Sequence, residues 1–188
     1  MPRIPYVVRD TANAEQQVHL DTLEATRGGP VSNIFLALAN VPALGEGVLA
    51  MATSLRKSTL LSRRLRELAI VTVGIETGAT YELLHHWNVA LRAGVTQAQL
   101  EAMTSYESSA LFSTQDRAVI RFALELTRTG KAASPTWDAL ESLGSDARLE
   151  LVLTVSWYNC VARMAQSLEL DMEEWFPAPS IPKMAFPA

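Results

Sequence analysis

The chain has 188 residues, of which 48% are hydrophobic and 19% charged, so it can bury a core of ordinary domain size, and a disordered protein is excluded. The net charge of −4, without a basic stripe, excludes a nucleic-acid partner, because no side chains are arranged to neutralise phosphates. With a single cysteine, Cys160, the chain cannot form an internal disulfide scaffold.

Helical patterns follow one another along the whole sequence, separated by glycine, proline and capping residues. We predict one domain over 1–188, with an N-terminal arm over 1–13 and a proline-rich tail over 176–188. Helices are predicted over 14–27 (with Val18, Leu20 and Leu23 facing inward), 32–40, 42–55, 62–77, 80–94, 96–105, 113–130, 134–144 and 145–170, the last capped by Ser145.

The segment from Leu68 to Ile75 is apolar or uncharged at every position. Its composition also suits a strand, but the cap at Ser62 and the stop at Gly78 favour a helix. A helix without a wet face must be covered on all sides, which in a domain of this size is easiest if a second subunit contributes. We therefore predict an all-α protein that forms an obligate homo-oligomer.

No uncharged apolar run reaches the ~18 residues of a membrane span, and the sequence MPRIPYVVRD lacks the apolar region of a signal peptide. We therefore expect a cytoplasmic protein with no membrane partner. The aromatic residues of the tail, Trp175, Phe176 and Phe186, are expected to pack on the body of the protein or on a neighbouring subunit.

Three side chains on two neighbouring helices form the candidate catalytic group. A short connection at Gly78 predicts a helical hairpin in which Glu67 and His86 lie at nearly the same height. Glu82 precedes His86 by four residues and shares its helix face. A histidine beside two carboxylates is expected to hold its proton to higher pH and to keep one ring orientation, as a proton shuttle requires.

Each of these residues also has a simpler interpretation. Glu82 and His86 could form only an ion pair, and Glu67 could neutralise Arg64 or Arg66, whose cluster with Arg63 is expected to be a solvated helix face. Glu82 and His85 have the spacing of a di-iron ligand pair, but the second pair is missing, so we predict no metal and no cofactor. Cys160 is expected to be a buried structural thiol.

Residues beside the candidate group are predicted to contact a small-molecule substrate. Tyr81 and His85 belong to the same helix as His86, and Trp87 follows directly. Trp157 and Tyr158 could also line an aromatic pocket, although aromatic residues at helical spacing more often belong to a core.

Residues 61–103, LSRRLRELAIVTVGIETGATYELLHHWNVALRAGVTQAQLEAM, resemble the core of the carboxymuconolactone decarboxylase and alkylhydroperoxidase D-like (AhpD-like) superfamily. The opening MPRIPYV and the segment over 30–44 also resemble its longer members. The resemblance implies the all-α AhpD-like fold and an assembly of three or six subunits. It also implies that Glu67 and His86 occupy the positions of that superfamily's glutamate and histidine.

In the peroxidase branch of this superfamily, a Cys-x-x-Cys pair occupies the positions of Ala79 and Glu82. Both thiols are absent here, so the resemblance does not imply a thiol peroxidase. The decarboxylase branch keeps a glutamate and a histidine at the positions of Glu82 and His86. We therefore expect cofactor-free acid/base chemistry, decarboxylation or a related lyase or isomerase reaction, on a small carboxylated or lactone-type compound. A thiol peroxidase and a non-catalytic binding scaffold are the alternatives.

Overall fold

The computed structural model describes residues 1–187, and within them the regular structure is helical, with no β-strand. The α-helices are α1 (Ala14–Arg27), α2 (Asn33–Leu38), α3 (Pro42–Lys57), α4 (Arg63–Thr77), α5 (Thr80–Arg92), α6 (Gln97–Glu101), α7 (Thr114–Thr129), α8 (Ser134–Asp138) and α9 (Gly144–Leu168). Short 3₁₀ turns lie at Arg9–Thr11, Met103–Ser105 and Glu141–Leu143. The all-α prediction is confirmed.

Local capping chemistry explains why the helices begin where they do. The Ser62 hydroxyl accepts a hydrogen bond from Leu65 N, and Thr96 and Ser113 each form a reciprocal capping box with the residue three positions later. Ser145 is the exception. Helix α9 begins at Gly144, so Ser145 lies inside its first turn and the predicted cap is wrong.

The described chain divides into two compact units, and the single domain predicted over 1–188 stays a prediction. One unit comprises Met1–Ser58 with Ser167–Phe176, and the other comprises Thr59–Gln166 with the segment from Pro177. The second unit contains the principal hydrophobic core, in which α4 packs against α5 and α7.

Helix α4 is buried on all sides within this chain. Every residue from Leu65 to Ile75 is buried, which confirms that the apolar segment is a helix without a wet face. This burial is already complete in one copy, so it does not require a second subunit. The homo-oligomer, with three or six subunits, remains a prediction implied by the resemblance.

In the first unit, α1 buries Leu20 and Leu23 as predicted, but the prediction for Val18 is wrong. Val18 is 66% exposed, and His19 is buried beside the two leucines. The His19 ring packs directly on Gly45 of α3, where a Cβ atom would come within 2.7 Å of Nε2. This close approach explains why the position on α3 is a glycine.

The tail from Pro177 packs along the second unit. Phe186 is buried in the core with its ring edge-on to Tyr106, and the Arg128 guanidinium donates to the Pro187 carbonyl oxygen. In the first unit, Trp175 stands 48% exposed in one copy of the chain, so packing on a neighbouring subunit stays a prediction for this residue. A chain with four prolines after position 176 cannot form a helix, and it follows the surface instead.

Candidate active site

The hairpin of α4 and α5 positions the candidate catalytic group. Gly78 ends α4 in the left-handed conformation (φ 65°), and α5 begins two residues later at Thr80. The helices approach closely because Gly74 has no side chain. A Cβ atom there would lie 3.2 Å from the Leu83 Cβ atom. Glu67 lies two turns before Gly74, and His86 follows Leu83 by three residues, so both project from the packed side of the hairpin.

Glu67 and His86 form a short hydrogen bond in a largely buried setting. The distance from His86 Nδ1 to Glu67 Oε2 is 2.7 Å, and the two side chains are 15% and 5% exposed. An ionised carboxylate can only accept a hydrogen bond, so Nδ1–H donates to Glu67. The pairing selects one tautomer of the neutral ring and turns Nε2 to the opposite side.

Glu82 lies on that opposite side. Its Oε2 atom is 3.7 Å from His86 Nε2, which is longer than a hydrogen bond, and its side chain is 9% exposed. Ala79, which the resemblance aligns with the other cysteine of the peroxidase branch, is fully buried in the core. The structure thus brings the three predicted residues together, with one acid on each side of the imidazole.

The residues predicted to bind substrate occupy different places. The rings of Tyr81 and His85 pack together, with centroids 4.8 Å apart, on the helix that carries His86. Trp87 is only 1% exposed, belongs to the core, and donates from Nε1 to Gln97 Oε1. A side chain in that position packs the interior, because one residue beyond His86 the helix has turned by about 100°. We therefore leave Trp87 out of the proposed site.

A residue of α9 also contacts His86. The Tyr158 ring packs against the imidazole with centroids 4.7 Å apart and an interplanar angle of 81°. The sequence offered Tyr158 only as one of several aromatic residues for a pocket wall. Its separation from His86 is 72 residues, so no local spacing rule could have paired the two rings.

Of the three arginines that precede Glu67, Arg63 is exposed as expected, but Arg64 and Arg66 are not part of a solvated face. Arg66 is 5% exposed and donates from Nη1 to Glu150 Oε1 at 3.0 Å. Arg64 donates from both Nη atoms to the Asp116 carboxylate, at 2.6 and 3.0 Å. Both arginines therefore bond to acids on later helices, and Glu67 pairs with His86.

The expectation for Cys160 is also wrong, because this residue of α9 is exposed. Its thiol lies outside the hydrophobic core, on the outer side of a helix whose inner side is Thr154, Val155 and Ala162. Within residues 1–187 no helix has both the length and the apolar character needed to cross a membrane. In the same residues, no group of three or more His, Cys, Asp or Glu side chains is arranged to hold a metal ion.

Comparison with known proteins places these residues in a family context. Residues 42–125 match the model of the carboxymuconolactone decarboxylase family. This stretch contains Glu67, Glu82 and His86, and it ends before α8 and α9. None of the curated proteins compared with the chain matches it.

Several solved structures share the fold at low sequence identity. An uncharacterized peroxidase-related protein with an alkylhydroperoxidase AhpD core, from Ralstonia eutropha JMP134, has a TM-score of 0.76 and 18% identity over 92% of this chain and 93% of that one. A peroxidase-related protein from Silicibacter sp. TM1040 has a TM-score of 0.76 and 18% identity over 92% of each chain. A cysteine-to-alanine variant of the debrominase Bmp8, in complex with 2,3,4-tribromopyrrole, has a TM-score of 0.74 and 17% identity over 91% of each chain.

Proposed function

We propose that this chain, whose residues 42–125 match the carboxymuconolactone decarboxylase family model, is a cofactor-free acid/base enzyme acting on a small carboxylated or lactone-type compound. His86 is the group that transfers the proton. The observation that carries the proposal is the 2.7 Å pairing of His86 Nδ1 with Glu67, which turns Nε2 towards Glu82.

Each acid has a distinct role in this proposal. Glu67 holds Nδ1–H, fixes the ring, and stabilises the imidazolium when Nε2 is also protonated. Glu82 lies beside Nε2, where it orients the substrate group that exchanges a proton with the imidazole.

A decarboxylation at this centre balances without a further reactant. The bond between the substrate carbon and its carboxylate breaks, and its electron pair delocalises into the adjacent carbonyl as an enolate while carbon dioxide leaves. Nε2–H of the His86 imidazolium then protonates the carbon, and the neutral ring regains a proton from solvent. An isomerisation uses the same two steps, with proton removal from carbon replacing the loss of carbon dioxide.

Thiol peroxidase chemistry has no support in the site itself. Ala79 and Glu82 occupy the two cysteine positions, and a carboxylate cannot form the disulfide on which that chemistry depends. The one thiol of the chain, Cys160, is exposed on α9. The debrominase bound to a bromopyrrole supports a small organic molecule as the ligand of this fold.

The test is turnover of a panel of γ-lactone carboxylates in D₂O, followed by carbon dioxide release and by deuterium at the product carbon. We expect His86→Gln to reduce turnover by on the order of 10²- to 10⁴-fold, the usual contribution of a positioned acid/base. Asn88→Ala is the matched control, because Asn88 lies two residues further along α5 and donates to the Pro177 carbonyl oxygen. Turnover in His86→Gln equal to that of the control would overturn the assignment.

A further inference from the structure

Helix α9 lies beyond the stretch that matches the family, yet it contributes a side chain to the candidate site. We propose that Tyr158 is a positioning residue that holds the His86 ring in its working orientation. The contact between Tyr158 and His86 is a matter of geometry alone. Its importance for proton transfer rests on the proposed function.

Two side chains from other helices contact the His86 imidazole. The Glu67 carboxylate accepts from Nδ1–H and restrains that edge of the ring. The Tyr158 ring stands nearly perpendicular to the imidazole, at 81°, with centroids 4.7 Å apart. Aromatic rings attract each other in this arrangement, so the contact also restrains the plane of the imidazole. Nε2 is then held on the side of Glu82.

Tyr158 can act in this way because α9 is fastened on both sides of it. Eight residues before it, the Glu150 carboxylate accepts from Leu61 N at 2.9 Å and from Arg66 Nη1 at 3.0 Å. Eight residues after it, Gln166 Nε2 donates to the Thr77 carbonyl oxygen at 2.8 Å. These bonds attach α9 near the start and at the end of α4, which is the helix that carries Glu67.

The adjacent residue adds a lateral attachment. Asn159 Nδ2 donates to Thr127 Oγ1 at 2.9 Å, which joins α9 to α7. Tyr158 itself packs partly buried against the hydrophobic core. The Tyr158 ring is therefore supported by the core, and the helix that carries it is anchored on both sides of Tyr158. This is what a positioning residue needs, since a loosely held ring could not restrain another.

The experiment uses the full chain labelled with ¹⁵N-histidine, and two-bond ¹H–¹⁵N spectra report the tautomer and the titration of each ring. His86→Gln identifies the signals of His86 among the three histidines. We expect Tyr158→Phe to preserve the Nδ1–H tautomer and the titration midpoint, because the ring contact remains. In Tyr158→Leu we expect mixed tautomers and a midpoint shift on the order of half a pH unit, the size expected of one aromatic pair.

Tyr106→Leu is the matched control, because its ring packs against Phe186 and its loss costs core packing elsewhere. Tyr158→Met provides a second variant of similar bulk if Tyr158→Leu does not fold. His86 signals in either variant identical to wild type would overturn the proposal, and so would an equal shift in Tyr106→Leu. These spectra need no substrate. Full turnover in His86→Gln would therefore overturn the proposed function and leave the positioning role to be decided by the spectra alone.

Discussion

Arg66 and Glu67 are consecutive on α4, equally buried at 5% and 4% exposure, and bonded to partners on different helices. Arg66 pairs with Glu150, whose two oxygens accept from both the guanidinium and the Leu61 amide, and the pair lies wholly in the interior. Glu67 pairs with His86, which keeps 15% exposure and turns its second nitrogen towards another acid. Both pairs place charged side chains in the interior, so burial does not separate them. The candidate site differs because His86 has a second titratable atom, Nε2, and is partly accessible.

The largest effect that this comparison predicts is on stability. Glu150→Ala leaves the Arg66 guanidinium buried without its carboxylate, and we expect the free energy of unfolding to fall by about 3–5 kcal/mol. Urea denaturation followed by circular dichroism measures it. A loss below about 1 kcal/mol would contradict the view that Arg66 and Glu150 form a structural pair.

Replacing both members sharpens the same prediction. Arg66→Met with Glu150→Leu removes both charges and fills a similar volume, so part of the lost stability should return. We expect the double variant to be more stable than Glu150→Ala and about 1–3 kcal/mol less stable than wild type, because the buried Leu61 N–H still loses its acceptor. An apolar replacement of Glu67 and His86 would abolish activity if these two side chains transfer the proton.

The second prediction therefore concerns turnover at constant fold. Glu67→Gln keeps the shape of the side chain and an oxygen that accepts from Nδ1–H, but it removes the negative charge that stabilises the imidazolium. We expect turnover to fall on the order of 10²-fold while the free energy of unfolding changes by about 1 kcal/mol or less. Steady-state kinetics and denaturation of the same preparation measure both.

The converse pattern would break the comparison. If Glu67→Gln unfolds as readily as Glu150→Ala and retains wild-type turnover, then Glu67 belongs with the structural charges. Glu76→Gln is a matched control on α4, because Glu76 accepts from Arg128 on the surface and touches neither pair.

Local rules predicted the hairpin that carries Glu67 and His86 because every signal for it lies between residues 62 and 86. Ser62 caps α4, Gly78 ends it, and the four-residue interval from Glu82 to His86 places both on one face. The same rules failed for contacts between distant segments. The burial of Arg66 depends on Glu150, 84 residues away, and nothing near Arg66 indicates that partner.

Predictions from the sequence were also wrong about which side of a helix some side chains face. Val18 is apolar and His19 polar, yet the packing of α1 on Gly45 turns the histidine inward. Trp87 is adjacent to His86 in sequence but points into the core. Tyr158 was no more than one aromatic residue among several until the position of α9 placed it against His86. Helix bounds are therefore local information, whereas the neighbours of each helix face are not.

A smaller effect is predicted for the pH dependence of the ion pair between Arg64, near the N-terminus of α4, and Asp116. Burial alone would raise the pKa of Asp116, but hydrogen bonds from Arg64 and Ser113 and the Arg64 charge outweigh it, so the pKa lies below its ordinary 3.8. A lowered folded-state pKa stabilises the protein above the unfolded-state value, and this contribution is lost as pH falls through the folded-state value. We expect wild type to exceed Asp116→Asn in free energy of unfolding by about 1–3 kcal/mol near pH 7, with the difference shrinking below about pH 4.

Glu107 provides the exposed counterpart for this test. A hydrogen bond from Arg121 lowers the pKa of its carboxyl too, but the side chain is 61% exposed, and solvent screens the pair. Glu107→Gln should therefore change the free energy of unfolding by roughly 0.5 kcal/mol or less at any pH. Equal pH slopes for wild type and Asp116→Asn would mean that the Arg64 bond adds nothing to folding. The Arg64–Asp116 pair would then not count among the stabilising pairs of α4. The contrast between a structural pair and the Glu67–His86 pair would rest on Arg66 and Glu150 alone.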